Sequence, residues 1–174
     1  MRDNQPDYYI PLTTSEFPQT VMLDRSGHYR VELLDPGIDV QIRGGWHVTG
    51  TEHKNITLDI VHKAPHTRSE TLLRGVVEDS AELSLSGTII VAPQAQDTNA
   101  FLTENILLLS DDARAEAIPN LEISANEVKC SHAATVTNID DEYLFYFGAR
   151  GIDPDTAKRM IVDGFLAETK VIKE

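Results

Sequence analysis

Between about Thr20 and Val136 the apolar residues come in short runs with no helical spacing. The runs read TVMLD, YRVELL, IDVQIR, ITLDIVHK, TLLRGVVE, AELSLSGTIIVA, NILLLS and LEISA. Turn-forming stretches separate them: Asp35-Pro36-Gly37, Gly44-Gly45, Glu52-His53-Lys54-Asn55, Asp79-Ser80 and Asp111-Asp112. In a strand, alternate side chains fall on opposite faces. Many short strands with no helical period between them predict an all-β body over residues 20–139. A sandwich and a parallel β-helix both satisfy this pattern. Several segments recur at about twenty residues with small polar residues at the corners, which favours a solenoid. Gly44-Gly45 reads as a turn.

The flanks differ from this body. Residues 1–19 are polar and hold Pro6 and Pro11, so they read as an extended lead-in and not a helix. After Val136 the period changes, and residues 140–174 read as helical. Asp140 is placed to cap a first helix, with Asp141 and Glu142 in its first turn, where negative charge suits the helix dipole. That helix carries Tyr143, Leu144, Phe145, Tyr146 and Phe147 in succession, more apolar surface than one stripe can bury. Gly151 is a stop signal, and Asp153-Pro154 supplies a cap and a first-turn proline for a second helix. On that helix Ala157, Met160, Ile161, Gly164 and Phe165 recur at amphipathic spacing, leaving Lys158, Arg159 and Asp163 outward.

Composition narrows the function. The chain has 174 residues, enough for one domain with a core. Fifteen Lys and Arg against 28 Asp and Glu give a net charge of −13, which opposes binding to nucleic acid. The single cysteine, Cys130, makes no internal disulfide. With no signal-like N-terminus and no apolar run of roughly 20 residues, the expected setting is soluble, reducing and cytoplasmic, away from membranes. Phosphate-loop, GxSxG and HExxH motifs are missing from the sequence, and neither Ser110 nor Ser131 has a base placed by spacing. No enzyme is expected. His28, His47, His53, His62 and His66 lack the clustered partners a zinc site needs and read as surface imidazoles.

Cys130 and His132 stand apart. Two residues apart on an extended strand, they share a face and present a thiol beside an imidazole, a pairing suited to soft metals or iron–sulfur species. The bland alternative is a cysteine acting as a small hydrophobe beside a histidine that satisfies a strand-edge polar group. Glu127, three residues away, reads as a solvated carboxylate.

The segment Pro119–Phe165, PNLEISANEVKCSHAATVTNIDDEYLFYFGARGIDPDTAKRMIVDGF, resembles the tail of the SufB/SufD family of iron–sulfur cluster assembly proteins, the SufD branch best. Upstream, His62 with Ala64-Pro65-His66-Thr67-Arg68-Ser69, Arg74-Gly75-Val76-Val77-Glu78-Asp79, Ser86–Ala100 and Leu107–Ala113 are similar to family motifs in the same order. Ala133 stands where the family carries glycine, and full-length relatives have further coils and an N-terminal helical region.

The resemblance implies a right-handed parallel β-helix core with a small C-terminal two-helix subdomain. It implies a non-catalytic scaffold that dimerises through its β-helix, with a second copy or a SufB-like paralogue. His132, and beside it Cys130, would contribute to a transient iron–sulfur cluster that a second chain completes, with no cofactor held stably. A SufC-like ABC ATPase would dock on Tyr143, Leu144, Phe145, Tyr146, Phe147, Met160, Ile161 and Phe165, on helices that also cap the open solenoid end. A different reading is a structural interaction module that keeps the β-helix and helical dock but has lost cluster chemistry.

Overall fold

The computed structural model describes residues 5–14 and 19–170; of the segments read above, residues 1–4, 15–18 and 171–174 lie outside them. Among the described residues eleven strands run in chain order: β1 (Tyr8–Leu12), β2 (Gln19–Leu23), β3 (Gly27–Leu33), β4 (Asp39–Val48), β5 (His53–His62), β6 (Arg68–Val77), β7 (Glu82–Val91), β8 (Thr98–Leu108), β9 (Arg114–Ala117), β10 (Asn120–Ile123) and β11 (Val128–Asn138). β1 to β8 alternate between two sheets, ordered β1-β3-β5-β7-β10 and β2-β4-β6-β8-β11, and β9 joins β10 in the first sheet by also pairing with β7. Every pairing is parallel. The chain is a β-solenoid of about four turns followed by two helices. Part of the expected lead-in, Tyr8–Leu12, is therefore a paired strand lying on β3.

The repeat is longer than the sequence spacing suggested. His53 lies beside Glu82, 29 positions on, Arg68 beside Asn99, 31 on, and Thr98 beside Val128, 30 on. A coil holds two strands and two corners, so the distance between neighbouring apolar runs is not the distance between stacked ones. Only the first coil comes near twenty, with Tyr8 on Tyr29.

Buried and outward positions alternate along the central strands, most regularly in β4 and β7. On β4, Val40, Ile42, Trp46 and Val48 are buried while Asp39, Gln41, Arg43 and His47 point out. Ile56, Leu58 and Ile60 of β5 meet them from the other sheet in one core. Corners stack as well. Gly37, His66 and Asp97 all have left-handed backbone, with φ of 78°, 59° and 58°. Each donates its N–H to the next coil, Gly37 to Pro65, His66 to Gln96 and Asp97 to Glu127. The tight corner geometry is thus repeated even where the residue is not glycine, at a steric cost.

Gly44-Gly45 is not a turn. Both residues lie within β4. A Cβ on Gly44 would collide with the Trp46 ring, and one on Gly45 with the Thr169 hydroxyl. The glycines make room on both faces of the strand, a packing reason that local turn propensity does not contain.

Helix α1 (Asp141–Gly148) starts at Asp140, whose carboxylate accepts from the Glu142 amide, and α2 (Pro154–Leu166) starts at Asp153, which accepts from Thr156. Gly151, at φ 76°, lies in the link between them. A short 3-10 turn, Ala167–Thr169, follows. The buried stripe of α2 is rotated from the one expected: Ala157, Val162 and Leu166 are buried, Ile161 and Phe165 half-buried, and Met160 is 49% exposed. This stripe packs on Val76, Leu107 and Leu109, on the outer wall of the β6–β8 sheet. Helix α2 therefore clads the side of the solenoid, and the expected cap over its open end is not formed there: β11 remains exposed.

Candidate functional site at the open end of the solenoid

The last coil has a neighbour on one side only. Strand β11 pairs with β8, and among the described residues nothing lies on its other edge. Its register places Val128 beside Thr98, Cys130 beside Ala100, His132 beside Leu102, Ala134 beside Glu104 and Val136 beside Ile106. The β8 members of these pairs are buried. Their β11 partners consequently belong to the inward face of the sheet, yet His132, Ala134 and Val136 are exposed because no further coil covers them. Across the lumen, Leu121 and Ile123 of β10 pair with the inward Ile89 and Val91 and are likewise exposed. The solenoid ends in an uncovered apolar rim with Cys130 and His132 in adjacent columns.

The structure thus places the two sequence-predicted residues on one face, as their spacing required. Cys130 is half-buried against the core, and burial pushes its thiol above the ordinary cysteine value, while a hydrogen bond with the Ala100 backbone works the other way. The thiol is protonated at neutral pH and becomes a good ligand once an ion or partner displaces the proton. Ser131 faces outward from the same strand, and Glu127 sits at the corner, where its backbone N–H donates to Gln96 Oε1. Among the described residues no three His, Cys, Asp or Glu side chains are already gathered at metal-binding distances.

One residue that sequence reading passed over lies just beneath the rim. Glu104, inward-facing in β8, is fully buried, and neither carboxylate oxygen has a hydrogen-bond partner among the described residues. Burial pushes its pKa up to about 7. The Gly87 backbone offsets a little of that shift, but no bond of acceptable geometry reaches either oxygen. Its alternation with Leu102 and Ile106 marked position 104 as interior, and a carboxylate at an interior strand position was the available signal.

His62 corrects the surface assignment. It is fully buried, with Nδ1 2.8 Å from Thr67 Oγ1 and Nε2 3.0 Å from Ser69 Oγ. Burial lowers its pKa to about 4. The other four histidines sit beside acidic residues on neighbouring coils: His28 by Asp59, His47 by Glu78, His53 by Glu82 and His66 by Asp97. These are rung-to-rung surface pairs.

On the helical tail the predicted docking residues divide. Tyr143, Phe145, Tyr146 and Met160 are exposed, Phe145 by 80%. Leu144, Phe147, Ile161 and Phe165 are half-buried, and the last two pack against the solenoid wall. Arg150 stacks over the Tyr146 ring at 3.5 Å and donates to the Tyr146 carbonyl.

The fold is that of a parallel β-solenoid with helix α2 on its side wall. Residues 25–165 match the family described as SUF system FeS cluster assembly, SufBD core domain, and the chain belongs to that family. It is 32% identical over 146 residues to an iron-sulfur cluster assembly SufBD family protein of Mycobacterium leprae, a match covering 79% of this chain and 37% of that protein. It is 41% identical over 107 residues to the iron-sulfur cluster assembly protein SufD of Escherichia coli, covering 62% and 25%. With SufD of Bacillus subtilis the identity is 35% over 118 residues, covering 68% and 27%. The chain thus spans between a quarter and two fifths of the length of these relatives. No helix among the described residues is long and apolar enough to cross a membrane.

Proposed function

We propose that the chain is a non-catalytic scaffold component of iron–sulfur cluster assembly, in which the uncovered last coil receives a second protein chain and the nascent cluster forms between them. The carrying observation is the rim itself. Inward-facing Cys130 is half-buried, and beyond it His132, Ala134 and Val136 extend a buried core but are left open to solvent. An exposed apolar patch of this kind marks an interaction surface, and the unpaired edge of β11 offers backbone groups for association. Two ligands from this chain are half of the usual complement of a cluster, so a second copy or a SufB-like paralogue supplies the rest. Family membership and the names of the relatives support the assembly role. An ABC-type ATPase of the SufC kind docks on the exposed aromatic face of α1, centred on Tyr143, Phe145 and Tyr146. His132 is the leading cluster ligand and Cys130 the second.

The test is anaerobic reconstitution with ferrous iron and sulfide in the presence of the second chain. His132→Ala leaves the fold intact and lowers cluster yield. Full yield in the Cys130→Ser, His132→Ala double variant would leave the structural interaction module as the surviving reading, one that the packing of Cys130 against the core also fits.

A further inference from the structure

The two ends of this solenoid are finished differently. At the β11 end the inward face is open, with Val136 42% exposed and Leu121 and Ile123 exposed across the lumen. At the other end neither β1 nor β2 has a strand on its outer edge among the described residues. Equal exposure is expected there, and it is not found. Leu12 and Val21, inward by their register with Leu33 and Ile42, are only 7% and 8% exposed, and Leu23 is fully buried. Tyr8 and Ile10 are half-buried and pack on the same core.

A taper accounts for the difference. Tyr8 lies beside Tyr29 and Gln19 beside Val40, each 21 positions on, where later coils need 29 to 31. The missing residues come out of the strands: β1 and β2 have five each, against ten in β7 and eleven in β8. Shorter sides draw the coil inward, and Leu12, Val21 and Leu23 join one cluster with the core beneath. The coil is fastened as well. The Tyr8 ring stacks on Tyr29 at 4.4 Å, and the Tyr9 hydroxyl donates to the Glu32 carboxylate at 2.8 Å. Gly27, at φ 135°, supplies the room. A Cβ there would lie 2.7 Å from the Asp7 carboxylate, which accepts from the His28 amide, and 3.0 Å from the Tyr8 ring.

The backbone edges differ in the same sense. Strand β11 offers a partner eleven residues with no proline. Strand β1 offers five, and Pro11 among them has no N–H to give. A short edge strand carrying proline is one of the ways in which proteins block edge-to-edge pairing.

We propose that the first coil is a built-in cap that leaves the solenoid a single adhesive end, so that association through the β11 rim stops at two chains. Two chains joined rim to rim bury both open ends and turn a closed end outward on each side. A solenoid open at both ends would add chains head to tail, and contacts of that kind grow into filaments. This rests on the reading of the rim as an association surface and adds where the assembly terminates.

The experiment uses the full chain with Gly27→Ala, whose new Cβ pushes on Asp7 and Tyr8 while removing no inward side chain, and with Tyr8→Lys as a second way to open the cap. Hydrogen exchange reports whether β1 is released while β4 to β8 stay protected, and light scattering over the micromolar range reports mass. Wild type is expected to level off at two chains. Both variants are expected to release β1 and to keep growing with concentration into filaments visible by electron microscopy. Adding Val136→Lys should hold either variant at two chains or fewer, which separates growth through the two ends from unspecific aggregation. Wild type that grows past two chains, or variants that release β1 and still stop at two, overturn the proposal. Unchanged β1 protection in both variants overturns it too, because these contacts then do not hold the coil. The two readings fail separately. A monomeric wild type with variants that pair through the released end removes the rim and keeps the cap, whereas a wild-type pair with variants unchanged at two chains removes the cap and keeps the rim.

Discussion

Arg74 in β6 donates to the backbone carbonyl of Phe165 at 2.6 Å, bridging 91 positions of sequence between the solenoid wall and the last turn of α2. The same guanidinium pairs with Glu168 at 2.6 Å and lies 5.2 Å from the Phe165 ring centre. A carbonyl at a helix C-terminus is a favourable place for a cation, and the Arg74 side chain is 16% exposed, so the contact is only weakly screened. Arg74→Ala is expected to loosen α2 by about 1.5–3 kcal/mol, the range for hydrogen bonds to a charged group. Limited proteolysis should cut the tail near α2 sooner while strands β3 to β8 keep their hydrogen-exchange protection. Equal tail protection in the variant would show that the apolar stripe alone holds the helix.

The buried His62 and Glu104 set opposing pH dependences. The folded pKa of His62, about 4 against 6.5, means the folded state sheds this proton, so its contribution is complete above pH 6.5 and erodes as pH falls toward 4. For Glu104 the folded pKa is about 7 against 4.5, so its contribution is complete below pH 4.5 and is lost as pH rises through 7. Each amounts to about 3 kcal/mol at 1.36 kcal/mol per pKa unit. Between pH 4.5 and 6.5 they largely cancel. Urea unfolding in metal-free buffer should therefore show a nearly flat wild type over that window. Glu104→Gln should gain stability as pH rises across it, and should exceed wild type by a few kcal/mol at pH 8.

Phe145 is the most exposed of the aromatic residues on α1. Because it buries little within the chain, Phe145→Glu is expected to leave the melting temperature within about a degree, as surface changes usually do. If an ABC-type ATPase docks on this face as proposed, the same change should abolish co-purification with it. Retained binding would move the docking surface elsewhere.

Val136 faces inward from β11 and is exposed, with nothing covering it among the described residues. If a second chain seals this rim, Val136→Lys places a charge in that interface and should convert the associated form to a monomer by light scattering at micromolar concentration, with the chain's own fold unchanged. A variant that still associates would place the contact away from the rim.

Legibility in the sequence followed the range of the interaction. The helix starts at Asp140 and Asp153 were readable because a cap is a local bond, Asp140 to Glu142 and Asp153 to Thr156. The shared face of Cys130 and His132 was readable because the strand period is two. The run Ile106-Leu107-Leu108-Leu109 was readable as a strand, but that α2 covers its outward Leu107 and the following Leu109 is a tertiary fact. Gly44-Gly45 misled because its purpose is space for Trp46 and Thr169, the latter more than a hundred positions away. His62 misled because its partners are made interior only by the corner that Pro65-His66 builds.

The sequence by itself determined the all-β body, the two capped helices and the pairing of thiol with imidazole, since each depends on periodicity or on neighbours within a few residues. Tertiary structure decided the coil length, because stacking register joins residues about thirty positions apart. It also decided that α2 clads the side wall and that the last coil stays open. Most of all, it decided the meaning of Glu104: a carboxylate acquires its cost, and hence its significance, from the desolvation and missing partners that only the folded interior imposes.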